Sequence, residues 1–374
     1  MESVTQVRRD QWAGTVFSTW VVLGLFLDGW AHNAGKPEDF WTPWHAVLYS
    51  GFAVAAGWFA YERWRRRRDG IEDQVDPLLL AGFVAFAVAG VGDGVWHSVF
   101  GVEEDIAALL SPTHLALMVG GVLLVTGPVR GARDLDAAHR SWSTFAPAAI
   151  AMVLTVAVIG FFLQFLSAFH VHDLATYTAA SAGGTVDAMH GVAAILVTNL
   201  LLIAGLAWTI SRWPAVPVGT CTAVLTGPAL LFSSLHAFEH GALVLAPLLG
   251  GITADVLLAR RAGRGTVLAV SSTVMWGAWF AVHHLVWGIG WEVEFWSGTI
   301  VFATLTAIGL ELLLRAGAPG VDARNVAARA PKVEQVTARA SAGRTPVGVA
   351  GSTSGPMRSQ VVGAHGGGEL DPTP

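Results

Sequence analysis

Two short segments of the chain each place one aspartate and two histidines at spacings suited to binding a metal ion. In the first, FLDGWAHNAGKPEDFWTPWH, Asp28 and His32 are four residues apart and His45 follows a polar loop. Residues four apart on a helix share a face, with Cβ atoms about 5–6 Å apart, so both can approach one ion. A histidine from a returning helix would complete a two-nitrogen, one-oxygen site, and imidazole suits copper, zinc, iron and nickel.

The second segment repeats this arrangement. The sequences DGWAH and TPWH of the first segment return as DGVWH and SPTH, which contain Asp93, His97 and His114. In both segments a Ser or Thr can cap the returning helix, and a Pro occupies its first turn. A lone Asp or His at a helix end is usually a capping or solvated residue, but neither role requires a repeated spacing. We therefore interpret both sets as candidate metal ligands.

The elements that carry these residues are predicted to be membrane helices. The 374 residues are 53% hydrophobic and only 13% charged, with a mean hydropathy of +0.54. Crossing a hydrocarbon core of about 30 Å takes about 20 apolar residues, and runs of that length recur along the chain. We predict an all-α integral membrane protein with about ten transmembrane helices. The spans fall at roughly 13–32, 43–63, 77–97, 112–129, 145–169, 189–211, 216–236, 241–259, 266–287 and 295–314.

The predicted organisation is a transmembrane domain, 1–315, followed by a disordered cytoplasmic tail, 316–374, that is rich in Gly, Ala, Pro, Ser and Thr. The repeated segments predict a duplicated helix hairpin, at about 13–63 and 77–129. Arginines flank alternate loops, so the positive-inside rule predicts that both termini are cytoplasmic. Eleven of the 13 histidines, including all those in the two segments, then fall at the extracytoplasmic ends of spans.

A histidine pair, the single cysteine and the net charge bear on the metal sites and partners that we expect. His236 and His240 are four residues apart at the end of the seventh predicted span, and we interpret them as a second-site contribution to metal binding. The single cysteine, Cys221, excludes an intramolecular disulfide and a multi-thiolate metal site. A net charge of -5 argues against a nucleic-acid partner, which leaves the lipid bilayer and a metal ion as the expected partners.

The first segment resembles the copper-binding segment of the C subunit of particulate methane and ammonia monooxygenases. In that family an Asp, a His four residues later and a His thirteen residues further on bind copper. Asp28, His32 and His45 match this spacing, and EDFWTPWH contains the same sequence pattern of an aromatic residue followed by Thr and Pro. The resemblance implies copper here, and it places His240 where the family has a later histidine near a second copper position, with His236 in place of its asparagine partner. That subunit has fewer spans than ten and lacks the duplicated hairpin.

Three functions are compatible with these patterns. The first is a copper protein, with zinc or iron as alternative metals, that carries out monooxygenase-like oxidation of a small substrate and takes electrons from an external donor or partner subunits. The second is a transporter or scavenger of copper or another divalent ion, for which Asp255 and Glu311 are candidate groups on the inner half. The third is a b-type haem protein, although haem ligation does not explain the paired aspartates.

Overall fold

A computed structural model describes residues 4–36, 42–70, 76–101, 105–132, 141–169 and 184–316, and within these ranges the chain forms helices and no strand. The described helices are α1 (Val4–Asn33), α2 (Pro43–Arg68), α3 (Pro77–Phe100), α4 (Asp105–Leu110), α5 (Pro112–Val125), α6 (Gly127–Gly131), α7 (Trp142–Phe162), α8 (Gly184–Arg212), α9 (Thr220–Ser234), α10 (Leu245–Ala259), α11 (Arg264–Val286) and α12 (Val293–Ala316). The prediction of an all-α chain is confirmed for this part of the molecule. Nearly all of the predicted tail, from residue 317 onward, lies outside the described residues.

Eight of the described helical segments are long and apolar enough to cross a membrane, which agrees with a multi-pass membrane protein. The two remaining predicted spans correspond to α2 and α9. The C-terminal end of α2 carries Glu62 and four consecutive arginines, and α9 has only 15 residues and an internal proline, Pro228. Both segments are helical, and the figure of ten spans stays a prediction.

The helices that carry the two Asp/His/His sets are arranged as two antiparallel pairs, α1 with α2 and α3 with α5, and a glycine in each pair allows close contact. A Cβ added to Gly51 would lie 3.1 Å from the backbone nitrogen of Val21, and one added to Gly120 would lie 2.7 Å from that of Phe86. Real Cβ atoms are rarely this close to backbone, so a side chain at either position would push the two helices apart.

These close contacts occupy matching positions in the two pairs. In each, the glycine follows the second histidine by six residues, and its partner precedes the aspartate by seven. The matched residues Val21 and Phe86, together with Leu48 and Leu117, then meet in one apolar cluster between the pairs. The two pairs therefore pack against each other through equivalent side chains.

Three of the remaining helices, α8, α11 and α12, are joined by a buried polar network around Asn199. Its Nδ2 donates to the carbonyl oxygen of Ala303 at 2.8 Å and to Oγ1 of Thr306 at 2.9 Å. Its Oδ1 accepts from Oγ of Ser272 at 2.8 Å and from Nε1 of Trp276 at 2.9 Å. An amide side chain can donate two hydrogen bonds and accept two, so every hydrogen-bonding position of Asn199 is occupied. These bonds hold α8, α11 and α12 together.

Asp255 and Glu311, which the sequence suggested as polar groups of an ion pathway, are both engaged in helix packing. Asp255 accepts hydrogen bonds from the backbone nitrogens of Cys221 and Thr222, at 3.2 and 3.0 Å, and so caps the start of α9. Glu311 is 97% buried and accepts from Arg264 and Arg315 at 2.5 and 2.6 Å. Their contacts explain why both carboxylates are present, and they do not favour an ion pathway through them.

The close contact at Gly120 leads to a stability prediction. We expect Gly120→Ala to destabilise the protein by about 1–3 kcal/mol, because the new methyl group meets the backbone of Phe86 at 2.7 Å. The matched control is the adjacent Gly121→Ala, whose Cβ would meet its nearest neighbour, Cγ1 of Val158, at an ordinary 3.7 Å. Thermal unfolding in detergent measures both, and equal midpoints for the two variants would contradict this packing.

Candidate metal centres

The first group is built where α1 ends and α2 begins. Asp28 and His32 lie on the same face of α1, with His32 Nε2 3.7 Å from Asp28 Oδ2. Thr42 caps α2 by accepting a hydrogen bond from the backbone nitrogen of His45, and this places His45 in the first turn. From there His45 Nε2 reaches Oδ1 of Asp28 at 3.2 Å, so each carboxylate oxygen faces one imidazole nitrogen.

The second group is built in the same way where α3 ends and α5 begins. His97 Nε2 lies 3.4 Å from Asp93 Oδ2, and His114 Nε2 lies 3.3 Å from Asp93 Oδ1. Ser111 caps α5 through the backbone nitrogen of His114, as Thr42 caps α2. The structure thus brings together all six residues of the two predicted sets, in two separate groups.

The distances fit the coordination sphere of a small metal ion. In each group the three ligand atoms lie within 4.8 Å of one another. Ligands about 2.1 Å from a tetrahedral ion are separated by about 3.4 Å. The four nitrogen–oxygen distances, 3.2–3.7 Å, bracket that value, so an ion could be bound with small side-chain movements.

Hydrogen bonds orient the imidazoles of the second group. Nδ1 of His97 lies 3.3 Å from the carbonyl oxygen of Gly101, and Nδ1 of His114 contacts the carbonyl oxygen of Ala108. A carbonyl only accepts, so each Nδ1 carries a proton, and in a neutral ring Nε2 then presents its lone pair. Two lone pairs therefore face the carboxylate of Asp93, an arrangement that requires a metal ion or added protons between them.

The two groups differ in burial and in the hydrogen bonds around their carboxylates. Asp93 is 2% exposed and Asp28 is 9% exposed. Oγ1 of Thr113 donates a hydrogen bond of 2.9 Å to Oδ1 of Asp93, whereas the matching position of the first group is Trp44. The second aspartate is thus held by a neighbour that the first group does not have.

The longer loop of the second segment forms a structure of its own. Part of it is the short helix α4, which contacts α5. Ala108 of α4 supplies the carbonyl that holds His114, while Ile106 and Leu109 face the space beside the group. The extra residues relative to the first segment therefore help to position a candidate ligand. The acidic residues before α4, Glu103 and Glu104, lie outside the described residues.

Both groups open onto one chamber of about 670 Å³. Its deeper wall is apolar, formed by residues such as Val22, Val125 and Val158, and its polar wall includes Gln164. The other polar side chains that line it outside the two groups are Asn33, Tyr49, His190 and His236. The two candidate centres therefore line the same cavity.

His236 and His240 do not form the helical pair that the sequence suggested. Helix α9 ends at Ser234, and two residues between the histidines have left-handed φ values of 51° and 61°, so the residues after α9 turn instead of continuing the helical face. His236 lines the chamber, whereas the ring of His240 packs 4.7 Å from that of Trp287. Among the described residues, neither histidine belongs to a group of three that could hold a metal ion.

Several chamber residues had no role assigned from the sequence. Tyr49 follows His45 by one helical turn, and this spacing is the one signal that could have pointed to it. Nε2 of His190 donates a hydrogen bond of 2.6 Å to the carbonyl oxygen of Phe165, and its position depends on how α8 packs against the end of α7. His170 and His172, which the sequence placed at the same membrane side, lie outside the described residues.

Comparisons of the chain with protein-family models, with curated proteins and with solved structures find no match. The function therefore has to be argued from the geometry of the two groups and of the chamber between them.

The hydrogen bond from Thr113 predicts a local effect on ion binding. We expect Thr113→Val to weaken metal binding at the second group by about tenfold or more, because the hydroxyl orients Asp93 and hydrogen-bonding partners of this kind are worth 10–100-fold in affinity. Metal titration of Thr113→Val in a His32→Ala/His45→Ala background measures this group alone.

The control is Thr113→Ser, which keeps the hydroxyl and should retain the affinity. Equal affinity in the Val and Ser variants would show that the hydroxyl of Thr113 does not position Asp93.

Proposed function

We propose that this protein is an integral membrane copper protein that binds one ion at each Asp/His/His group. The observation that carries the proposal is the arrangement at Asp93, where two imidazole nitrogens whose opposite Nδ1 atoms face carbonyl oxygens converge on one buried carboxylate. A divalent cation neutralises that carboxylate and uses both lone pairs at once. The recurrence of the same distances at Asp28 makes a chance arrangement of capping residues a poor explanation.

Copper is proposed over other metals on two grounds. Two imidazoles and one carboxylate suit copper, zinc and iron. Of these, copper is the metal bound by the monooxygenase segment that Asp28, His32 and His45 resemble. A b-type haem is not favoured, because in each group both imidazoles contact a carboxylate.

The proposal includes the topology predicted from the sequence. The duplicated hairpin, supported by the matched contacts of Gly51 and Gly120, places both groups at one end of their helices. The arginines that pair with Glu62 and with Asp76 lie at the opposite end of the hairpins. With those arginines on the cytoplasmic side, the chamber faces the extracytoplasmic side.

Oxidation of a small substrate is the reaction that we propose for this chamber. Three protein ligands leave a coordination position open, as catalytic sites require, and copper would supply one-electron redox chemistry there. The overall reaction breaks one C–H bond and one O–O bond, takes two electrons and two protons from an external donor, and yields an alcohol and water. The chain's own contribution is to hold the ligands in place and to surround the reacting atoms with the apolar wall of the chamber.

Metal content is the direct test of the proposed binding. We expect the purified protein to hold two copper ions per chain, and the double variants His32→Ala/His45→Ala and His97→Ala/His114→Ala to hold one each, because each removes two of three ligands. Elemental analysis after loading with copper and dialysis that removes the unbound copper provides the count, and combining all four substitutions should abolish binding.

The matched control is His284→Ala, which removes an exposed histidine outside both groups. The wild type without copper, or with copper that survives all four substitutions, would contradict the proposal. If the protein holds zinc or iron at the same stoichiometry, the proposed sites stand and copper is the wrong metal. Copper uptake into proteoliposomes would favour the transporter alternative.

The oxidation proposal has its own test. We expect the copper-loaded protein, supplied with ascorbate as electron donor, to consume dioxygen faster than the fourfold His→Ala variant, because that variant lacks the ions that accept electrons. An oxygen electrode measures the rates. Equal rates would exclude reaction with dioxygen at these groups and would leave metal binding as the function.

A further inference from the structure

Divalent ions at both groups would give the two groups together an excess of positive charge. Each group then carries one aspartate and one ion, with neutral imidazoles, which gives a net charge of +1 per group and +2 for the chamber. Among the described residues that line the chamber, Asp28 and Asp93 are the acidic side chains, and none is a lysine or arginine. Excess positive charge beside apolar side chains is costly, and a small anion that enters with the metal would offset it.

Tyr49 is placed to hold such a counter-ion. It lies on α2 one turn after His45 of the first group, with ring centroids 6.3 Å apart. It also packs against Gly90, one turn before Asp93 of the second group, where an added Cβ would lie 3.0 Å from Cε1 and 3.4 Å from the hydroxyl of Tyr49. Tyr49 thus lies beside a ligand of the first group, contacts the helix of the second group and lines the chamber that both groups share.

Gly90 is what allows the tyrosine to take this position. A methyl group at residue 90 would contact the ring and the hydroxyl of Tyr49 at distances tighter than or at the limit of ordinary packing. The corresponding position of the first segment, three residues before Asp28, is Leu25. The space for a hydroxyl donor is therefore built on one side of the chamber, at the second group.

We propose that the metal-loaded chamber binds a small anion between the two ions, with the Tyr49 hydroxyl as its hydrogen-bond donor. This inference rests on the proposed function, because the bound ions supply the positive charge that the anion compensates. The anion compensates the excess charge of the two ions at their open coordination positions. A phenol hydroxyl can donate one hydrogen bond, and a donor to a charged acceptor contributes more than one between neutral groups.

Azide is the probe for this site, because it is a small anion whose binding to copper(II) produces a charge-transfer absorption band. We expect azide to bind the copper-loaded full-length protein and not the metal-free protein. Tyr49→Phe should weaken azide binding, read per bound copper, by about tenfold or more, since it removes one hydrogen bond to a charged group and keeps the ring. Gly90→Ala, which displaces the ring, should weaken azide binding in the same direction.

The matched control is Tyr61→Phe, which makes the same chemical change on α2 at a half-exposed position outside the chamber. Its azide affinity should equal that of the wild type. A copper-loaded protein that does not bind azide, or a Tyr49→Phe variant with unchanged azide affinity per bound copper, would overturn the anion site while leaving the metal sites in place. Absence of bound metal in the wild type would overturn the proposed function and this inference together.

Discussion

A carboxylate buried at the edge of an apolar helical bundle is costly unless it is paired with a cation or takes up a proton, and both aspartates of the candidate centres face this constraint. Asp93 is almost fully buried, and its contacts are a threonine hydroxyl and two imidazole nitrogens. Hydrogen bonds alone leave the negative charge of such a group in place, whereas a cation held by the same nitrogens removes it. A metal ion at each candidate centre would offset the charge of an aspartate that the helices place inside the protein.

Two local features, a cap and a glycine, bring the second histidine of each helix pair close to the aspartate. A Ser or Thr cap fixes where the second helix begins, and so sets the depth of the second histidine. Gly51 and Gly120 then let that helix approach the first closely enough for its histidine to reach the aspartate. Neither the cap nor the glycine contacts the candidate ligand atoms. Each nevertheless affects the distance between the second histidine and the aspartate.

The parts that sequence could predict are those set by local geometry. Asp28 with His32, and Asp93 with His97, follow from helical spacing, and the returning histidines follow from the cap and proline of the next helix. The helical pairing of His236 with His240 was wrong because α9 ends at Ser234 and the chain turns there, which periodicity does not reveal. The shared chamber and the position of Tyr49 against Gly90 depend on how separate helices pack, so no spacing in the sequence predicts them.

The two groups share a scaffold but not their surroundings, and this difference bears on function. Storage of two equivalent ions would require no more than the repeated ligands and caps. Within the described residues, the second group adds the Thr113 hydroxyl on its aspartate, the α4 carbonyl on His114 and the space at Gly90 that admits Tyr49, whereas the loop before His45 of the first group lies outside them. Partners of this kind tune the affinity and reactivity of a bound ion. Because they differ between groups that face one chamber, the two ions would differ in affinity and in access to a ligand held between them, and a ligand bound there would meet two unlike centres. Such an arrangement suits chemistry on that ligand better than simple storage of metal.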